Sequence, residues 1–257
     1  MSRNVFVFLI AVFFLSSLLA AQERVFVPQV VDGENPPANT GRFATRINLM
    51  NPSPNDEISV TLTFFNADGN AVNRLPGQSP GGPSVRFTRT IPPSGAASVE
   101  TANGPFTIVG WIEIEATGDV RVEAITRFIS NDGRRLFSAR NLCEPPVSEF
   151  SAFAVLNRAD SSTAVALLNT SETEAAEVTA RLIDSQGQVF REVIVVIPPG
   201  QKIARFLTES EFFPDAGSFF GTVEMSSTVP LAVTIMEVSQ DSWTTMKMFT
   251  TLPISDF

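Results

Sequence analysis

The sequence predicts an all-β protein made of two tandem copies of one strand-and-turn unit. Segments of strand length, such as Ile58 to Phe65 and Val178 to Ile183, are rich in β-branched and aromatic residues. Turn signals recur about every 8–15 residues, and no window of helical length shows a sustained period of 3.6. An internal repeat is the third observation, and it sets the number of units.

The repeat consists of short landmarks that occur twice in the same order. Asn51-Pro-Ser53 and Asn169-Thr-Ser171 lie 118 residues apart, and the loop Leu75–Ser84 belongs to the first copy alone. The other landmarks are Gly69 with Gly187, Ile91-Pro-Pro93 with Ile197-Pro-Pro199, Gly110-Trp-Ile-Glu113 with Gly221-Thr-Val-Glu224, Thr117 and Val122 with Thr228 and Val233, and Val25-Phe-Val-Pro28 with Ala152-Phe-Ala-Val155. Because the gaps fall in loops, the two copies are expected to share one fold.

Particular residues set the ends of the strands. Asp68-Gly69 and Gln186-Gly187 predict hairpin turns. Pro92-Pro93 and Pro198-Pro199 end a strand, since proline cannot donate to a ladder. Thr208 to Phe213 predicts one short helical turn.

About seven strands in a copy of roughly 110 residues are typical of an immunoglobulin-like sandwich. We therefore predict two such domains, residues 22–144 and 145–257, joined around Pro145-Pro146. Paired prolines favour an extended connection, so a fairly fixed end-to-end arrangement is expected.

Residues 1–21 read as a secretory signal. Arg3 supplies positive charge, Val5 to Leu15 is an apolar run, and Ala20-Ala21 provides small residues for cleavage. A retained anchor is the alternative, although the run falls short of the roughly 20 residues of a spanning helix. We expect a secreted or periplasmic chain that does not span the membrane after processing, with association to the cell surface as a further alternative.

The composition argues against several functions. A net charge of −9 opposes binding to nucleic acid. The absence of histidine removes the usual general base and the commonest zinc ligand. The single cysteine, Cys143, excludes an intrachain disulfide but leaves a free thiol or an intermolecular bridge. We expect no enzyme activity, no cofactor and no metal.

Residues Gly110 to Ala116 alternate between apolar and polar side chains. Ile112 and Ile114 are predicted inside, with Trp111, Glu113 and Glu115 outside. If Thr117-Gly118-Asp119 is a hairpin tip, Glu113 faces Glu123 on the next strand. Facing carboxylates can act on a glycosidic bond, whereas the simpler interpretation is a solvated sheet face.

Further candidate sites have a functional and a structural interpretation. One candidate is a sugar-binding site formed by Trp111 and Trp243, with Glu113 close to Trp111 in the sequence. The structural interpretation is that the two tryptophans pack between domains. Arg134-Arg135 is the only adjacent pair of basic residues in the sequence. It can bind the carboxyl terminus of a pilus-type subunit, as a chaperone would, or it can lie at a solvated hairpin tip. A further set of loop residues can either bind calcium or simply form turns: Asp32, Glu34, Asp56, Asp68 and Asn70.

Several strand and turn motifs carry a resemblance that covers nearly the whole chain. They are Val25–Val30, Asn51-Pro-Ser53, Phe64–Gly69, Ile91-Pro-Pro93, Ala164–Asn169, Ile197-Pro-Pro-Gly200, Ala204–Leu207 and Phe249-Thr-Thr-Leu-Pro253. The chain resembles uncharacterised exported bacterial proteins with tandem immunoglobulin-like repeats. The resemblance implies an interaction module of the cell envelope or exterior. Pro93-Ser-Gly95 departs from Pro199-Gly200 of the second copy and leaves the local turn type open.

The function expected from these observations is a non-catalytic structural or adhesive module that binds another envelope or extracellular protein, or a glycan. A carbohydrate-binding module is the first alternative, and a pilus-type periplasmic chaperone is the second.

Overall fold

The computed structural model describes residues 23–34, 41–77, 82–133, 135–157, 161–240 and 246–251. All fifteen strands in the described part of the chain pair antiparallel, so the predicted all-β class is confirmed.

The first half of the chain contributes eight strands in two layers. One layer has the order β4-β3-β6-β1, and the other contains β5, β2, β7 and β8 with β2 between β5 and β7. Strand β1 belongs to both, since Glu23–Asp32 pairs with β6 and Gly33-Glu34 pairs with β2. The strands are β1 (Glu23–Glu34), β2 (Gly41–Met50), β3 (Ile58–Asn66), β4 (Arg86–Ile91), β5 (Ala96–Glu100), β6 (Ile108–Ala116), β7 (Arg121–Ser130) and β8 (Arg135–Leu142).

The second half contributes seven strands with the same pattern of neighbours. The start of β14 pairs with β11 and β9 and so corresponds to β6, which pairs with β3 and β1. The end of β14 pairs with β10 and β15 and so corresponds to β7, which pairs with β2 and β8. The strands are β9 (Val147–Asn157), β10 (Ser161–Asn169), β11 (Ala176–Ile183), β12 (Val189–Ile197), β13 (Lys202–Phe206), β14 (Phe219–Gln240) and β15 (Met246–Thr251).

Each half encloses its own hydrophobic core between its layers. Ile112 and Ile114 are fully buried in the first core, as the alternation predicted, and Val223 and Met225 are buried at the corresponding positions of the second. Leu75, at the base of the extra loop, is also fully buried and exchanges backbone hydrogen bonds with Ser84. The loop is therefore anchored in the first core.

The repeat extends to individual hydrogen bonds. The buried Asn51 amide donates from Nδ2 to the carbonyls of Asp56, Ile91 and Pro92 at 2.7, 3.2 and 3.1 Å, and its Oδ1 accepts the Ser53 amide at 2.9 Å.

Asn169 repeats this arrangement in the second half. It donates to the carbonyls of Glu174, Ile197 and Pro198 at 2.7, 3.0 and 3.2 Å, and it accepts the Ser171 amide at 3.0 Å. In both halves one buried asparagine ties the loop after the second strand to the proline turn. The shared landmark is thus a structural turn.

The proline turns also have the same backbone conformation. Ser94 has a φ of 52°, and Gly200, at the corresponding position, has a φ of 65°. The left-handed conformation that glycine favours is therefore adopted by a serine in the first copy. The departure from the motif does not change the turn.

Two expectations about individual segments of the strands are wrong. Thr117-Gly118-Asp119 is not a hairpin tip, because β6 and β7 lie in different layers and the segment crosses between them. The alignment of Val25–Pro28 with Ala152–Val155 is shifted, since the pairing places Val27 with Ala152 and Val30 with Ala154. A bulge at Pro28-Gln29 adds one residue to β1.

The segment Thr208 to Phe213 forms hydrogen-bonded turns rather than a helix. The Phe212 amide donates to the Glu209 carbonyl at 3.0 Å, and the Phe213 amide donates to that of Leu207 at 2.9 Å.

Candidate functional site: the outer faces of the two halves

The carboxylates singled out from the sequence do not face one another. Glu113 lies on β6, where the guanidinium of Arg24 pairs with it and reaches Glu172 of the second half at 3.0 Å. Glu123 lies in the other layer, where it accepts Asn48 Nδ2 at 2.9 Å and pairs with Arg140 at 3.0 Å. Because β6 and β7 are unpaired, the expected opposition of Glu113 and Glu123 is wrong.

The acidic loop residues have separate structural partners. Asp32 is fully buried, accepts the amides of Asn103 and Gly104 at 3.0 and 3.1 Å, and pairs with the buried Arg74 at 3.4 Å. The hydroxyl of Ser53 donates to Asp56 at 3.2 Å. No three acidic or thiol side chains meet as a metal cluster anywhere in the ranges that the structure describes.

Trp111 lies between the two halves of the molecule. It is 5% exposed, and its ring stacks on Phe65 with centroids 4.2 Å apart at an angle of 14°. Phe26 packs beside it, while Leu168 and Ala232 come from the second half. The ring therefore serves as packing between the halves and offers little surface for a sugar. Trp243 lies outside the described residues, and so does Arg134.

Lys202 is a buried residue that the sequence interpretation did not single out. It begins β13, and its Nζ donates to the carbonyl of Pro28 at 2.9 Å, to Gln29 Oε1 at 2.7 Å and to the carbonyl of Gly110 at 2.7 Å. All three acceptors are neutral and belong to the first half. Burial lowers the pKa of Lys202 to about 7.

Other polar contacts support the same junction. Asn141 Nδ2 donates to Thr234 Oγ1 at 2.7 Å, and the Lys202 amide donates to the Ala67 carbonyl at 3.0 Å. A Cβ on Gly69 would lie 2.7 Å from the Gly200 carbonyl oxygen, so the two turns touch through their backbones. The halves thus meet through sheet faces and turns, whereas the Pro145-Pro146 connection suggested an end-to-end contact.

Cys143 closes the edge of the first core. It packs against that core, and its amide donates to the Val122 carbonyl at 3.1 Å. Burial, with Glu144 nearby, raises the pKa of the Cys143 thiol to about 12. The thiol therefore stays protonated near neutral pH and is a poor nucleophile.

Two outer faces recur in each half. The front face is the outer surface of β1, β3 and β6, or of β9, β11 and the start of β14. The back face is the outer surface of β2, β5 and β7, or of β10, β13 and the end of β14. Inside the chain, the front face of the first half covers the back face of the second.

The other two faces are open. On the front face of the second half, Phe153 is 62% exposed and Phe220 is 67% exposed. On the back face of the first half, Met50 is 41% exposed beside a groove of about 550 Å³ that Ala96 and Arg121 also line. The sequence analysis did not identify these faces. The signal that could have revealed them is the loss of alternation, since Phe153 lies in the apolar run Ala152–Leu156 and Phe220 follows Phe219, which places apolar side chains on both faces of each strand.

A comparison with protein-family models finds no match, and a comparison with curated proteins finds none at a significant level. Within the described ranges, no helix is long and apolar enough to span a membrane.

Proposed function

We propose that the protein is a non-catalytic structural or adhesive module of the bacterial cell envelope or exterior, and that its open apolar faces bind a protein partner. The exposed pair Phe153 and Phe220 carries this proposal. Soluble monomers rarely expose large contiguous apolar surface, and surfaces of this kind mark interaction sites.

The proposed architecture is a pair of tandem immunoglobulin-like domains with a boundary near Pro145-Pro146. The pairing of β3 with β6 and of β2 with β5 supports it, since an immunoglobulin sandwich pairs its inner strands in this way. Here β1 lies beside β6 and β7 lies beside β2, so the outer strands have exchanged layers relative to that fold. The proposed likeness therefore rests on the inner strands.

The proposal includes export of the protein from the cytoplasm. The apolar run and small residues before Gln22 support cleavage of a signal, and the resemblance to exported repeat proteins supports a periplasmic or extracellular location. The carbohydrate-binding alternative is weakened because Trp111 is covered, and it now depends on Trp243.

Photo-crosslinking in the native host tests the proposed function. A photoreactive phenylalanine analogue at position 153 or 220 is expected to crosslink to a discrete protein, which can be this chain or another. The same analogue at Thr90, an exposed position on the edge strand β4, serves as the control. Crosslinks that are absent, or equally strong from Thr90, would contradict an interaction role for the front face. Binding to a glycan that is lost on Trp243→Ala would favour the alternative.

A further inference from the structure

We propose that the partner of the open front face is the open back face of a second copy of this chain, so that copies join head to tail. The inference rests on the proposed interaction function and names its partner. The contact between copies would repeat the contact that already joins the two halves.

The register of the strands establishes which residues correspond on the back faces. In the second half, Leu168 pairs with Lys202 on one side and Ala232 on the other, and these three residues contact the first half. In the first half, Met50 pairs with Ala96 and stands opposite Arg121 in β7. Met50, Ala96 and Arg121 therefore take the positions of Leu168, Lys202 and Ala232.

The front faces correspond in the same way. Trp111 lies opposite Phe65 in β3, and Thr222 lies opposite Ile183 in β11. On its other side Thr222 pairs with Phe153, which occupies the place of the Pro28-Gln29 bulge. Phe220 takes the position of Val109.

At one contact, the two open faces are both apolar, whereas the corresponding internal faces are both polar. Inside the chain, the Lys202 ammonium meets the carbonyl of Pro28 and the amide of Gln29. Between copies, the corresponding pair is Ala96 and Phe153, which are both apolar. The groove of about 550 Å³ beside Ala96 leaves space for a phenylalanine ring.

At a second contact, the larger side chain lies on the back face, whereas inside the chain it lies on the front face. Inside the chain the large Trp111 packs on the small Ala232. Between copies the smaller Thr222 would face the larger Arg121. Glu224, exposed on the same front face two residues beyond Thr222, gives Arg121 an opposite charge. Paired changes of this kind preserve both volume and charge complementarity.

This contact joins two different faces, so each added copy leaves one front face and one back face open. Such heterologous contacts give rings or open chains rather than closed dimers. Association is therefore expected to continue beyond the dimer.

Sedimentation velocity on the purified protein tests the inference. The mean mass of the unmodified protein is expected to rise with concentration, beyond that of a dimer. In a variant with Phe153→Asp and Phe220→Asp, the front face can no longer bind a second copy. In a Met50→Asp variant, the back face can no longer do so. Each variant alone is therefore expected to remain monomeric. Val196→Asp, an exposed apolar position on β12 outside the proposed contact, is the matched control and is expected to associate normally.

Mixing the two defective variants is the decisive measurement. Each retains the face that the other lacks, so an equimolar mixture is expected to form a one-to-one dimer and nothing larger. A mixture that stays monomeric, or a Val196→Asp variant that fails to associate, would overturn the head-to-tail contact. An unmodified protein that is monomeric up to roughly millimolar concentration, where even the weakest specific contacts are populated, would also overturn it. Crosslinks from Phe220 to a different protein would then leave the proposed interaction function intact.

Discussion

Replacing Asn51 with alanine removes the amide that ties the β2–β3 loop to the β4–β5 turn. The side chain is fully buried and supplies two N–H donors and one acceptor to backbone groups. At about 1 kcal/mol for each hydrogen bond lost, the free energy of unfolding should fall by about 3 kcal/mol. That loss is a large part of the ~5–15 kcal/mol available to a domain. Asn169→Ala should cost the second half a similar amount, because its contacts match.

Urea denaturation followed by tryptophan fluorescence measures both losses. Asn66→Ala is the matched control, since this asparagine accepts the amides of Asp68 and Asn70 at an exposed turn where water can replace it. Its cost should stay below ~1 kcal/mol. Asn51→Asp should cost more than Asn51→Ala, because a carboxylate would face three carbonyl oxygens. If Asn51→Ala costs no more than Asn66→Ala, the asparagine turn does not stabilise the fold as described.

Three further predictions concern burial and ionisation. Ile112→Ala should lower the free energy of unfolding by about 2–5 kcal/mol and Glu115→Ala by at most ~1 kcal/mol in urea titrations; the reverse order would contradict the assigned faces. Folding lowers the pKa of Lys202 from 10.5 to about 7, so the unfolded chain binds more protons between these values. Stability relative to Lys202→Met should therefore rise from pH 7 towards pH 10, by up to about 1.4 kcal/mol per pH unit, and a constant difference would refute this. With its pKa raised to about 12, Cys143 should react with iodoacetamide more slowly in the native protein at pH 8 than in urea, and equal rates would contradict its burial.

The sequence predicted the strands best where one face meets water and the other meets the core. Ile112 and Ile114 alternate with polar neighbours on β6, and their burial follows directly from a period of two. The turn at Gly69, with a φ of 80°, was predictable because few other residues adopt that conformation readily. These signals are local, and a single segment carries them.

The errors arise where the outcome depends on distant parts of the chain. The link Thr117-Gly118-Asp119 is as short as a hairpin turn, and only the pairing of β6 with β1 and β3 shows that it crosses between layers. The sequence analysis did not single out Lys202. Its burial depends on the Pro28-Gln29 bulge, 173 residues away along the chain, which supplies carbonyl and amide oxygens.

The candidate site was predictable only in part. Trp111 was selected as an aromatic residue for a ligand or for packing, and the structure places it in packing between the halves. The open faces were not selected, because the exposure of Phe153 depends on whether a neighbouring unit covers its side of the sheet. A pattern within one copy carries no information about whether its outer face is covered.

Strand β14 gives the two halves different tolerance to inserted sequence. Its 22 residues cross from one layer of the second half to the other without a break, while the first half makes the same crossing through an exposed loop at Asp119. A peptide tag at Asp119 would lengthen a connection and leave the pairing of β6 in one layer and of β7 in the other unchanged. The same tag at Pro230, the corresponding position, would split a strand whose two ends hold both layers together. Epitope tags, protease sites and fused reporters therefore belong in the first half at Asp119.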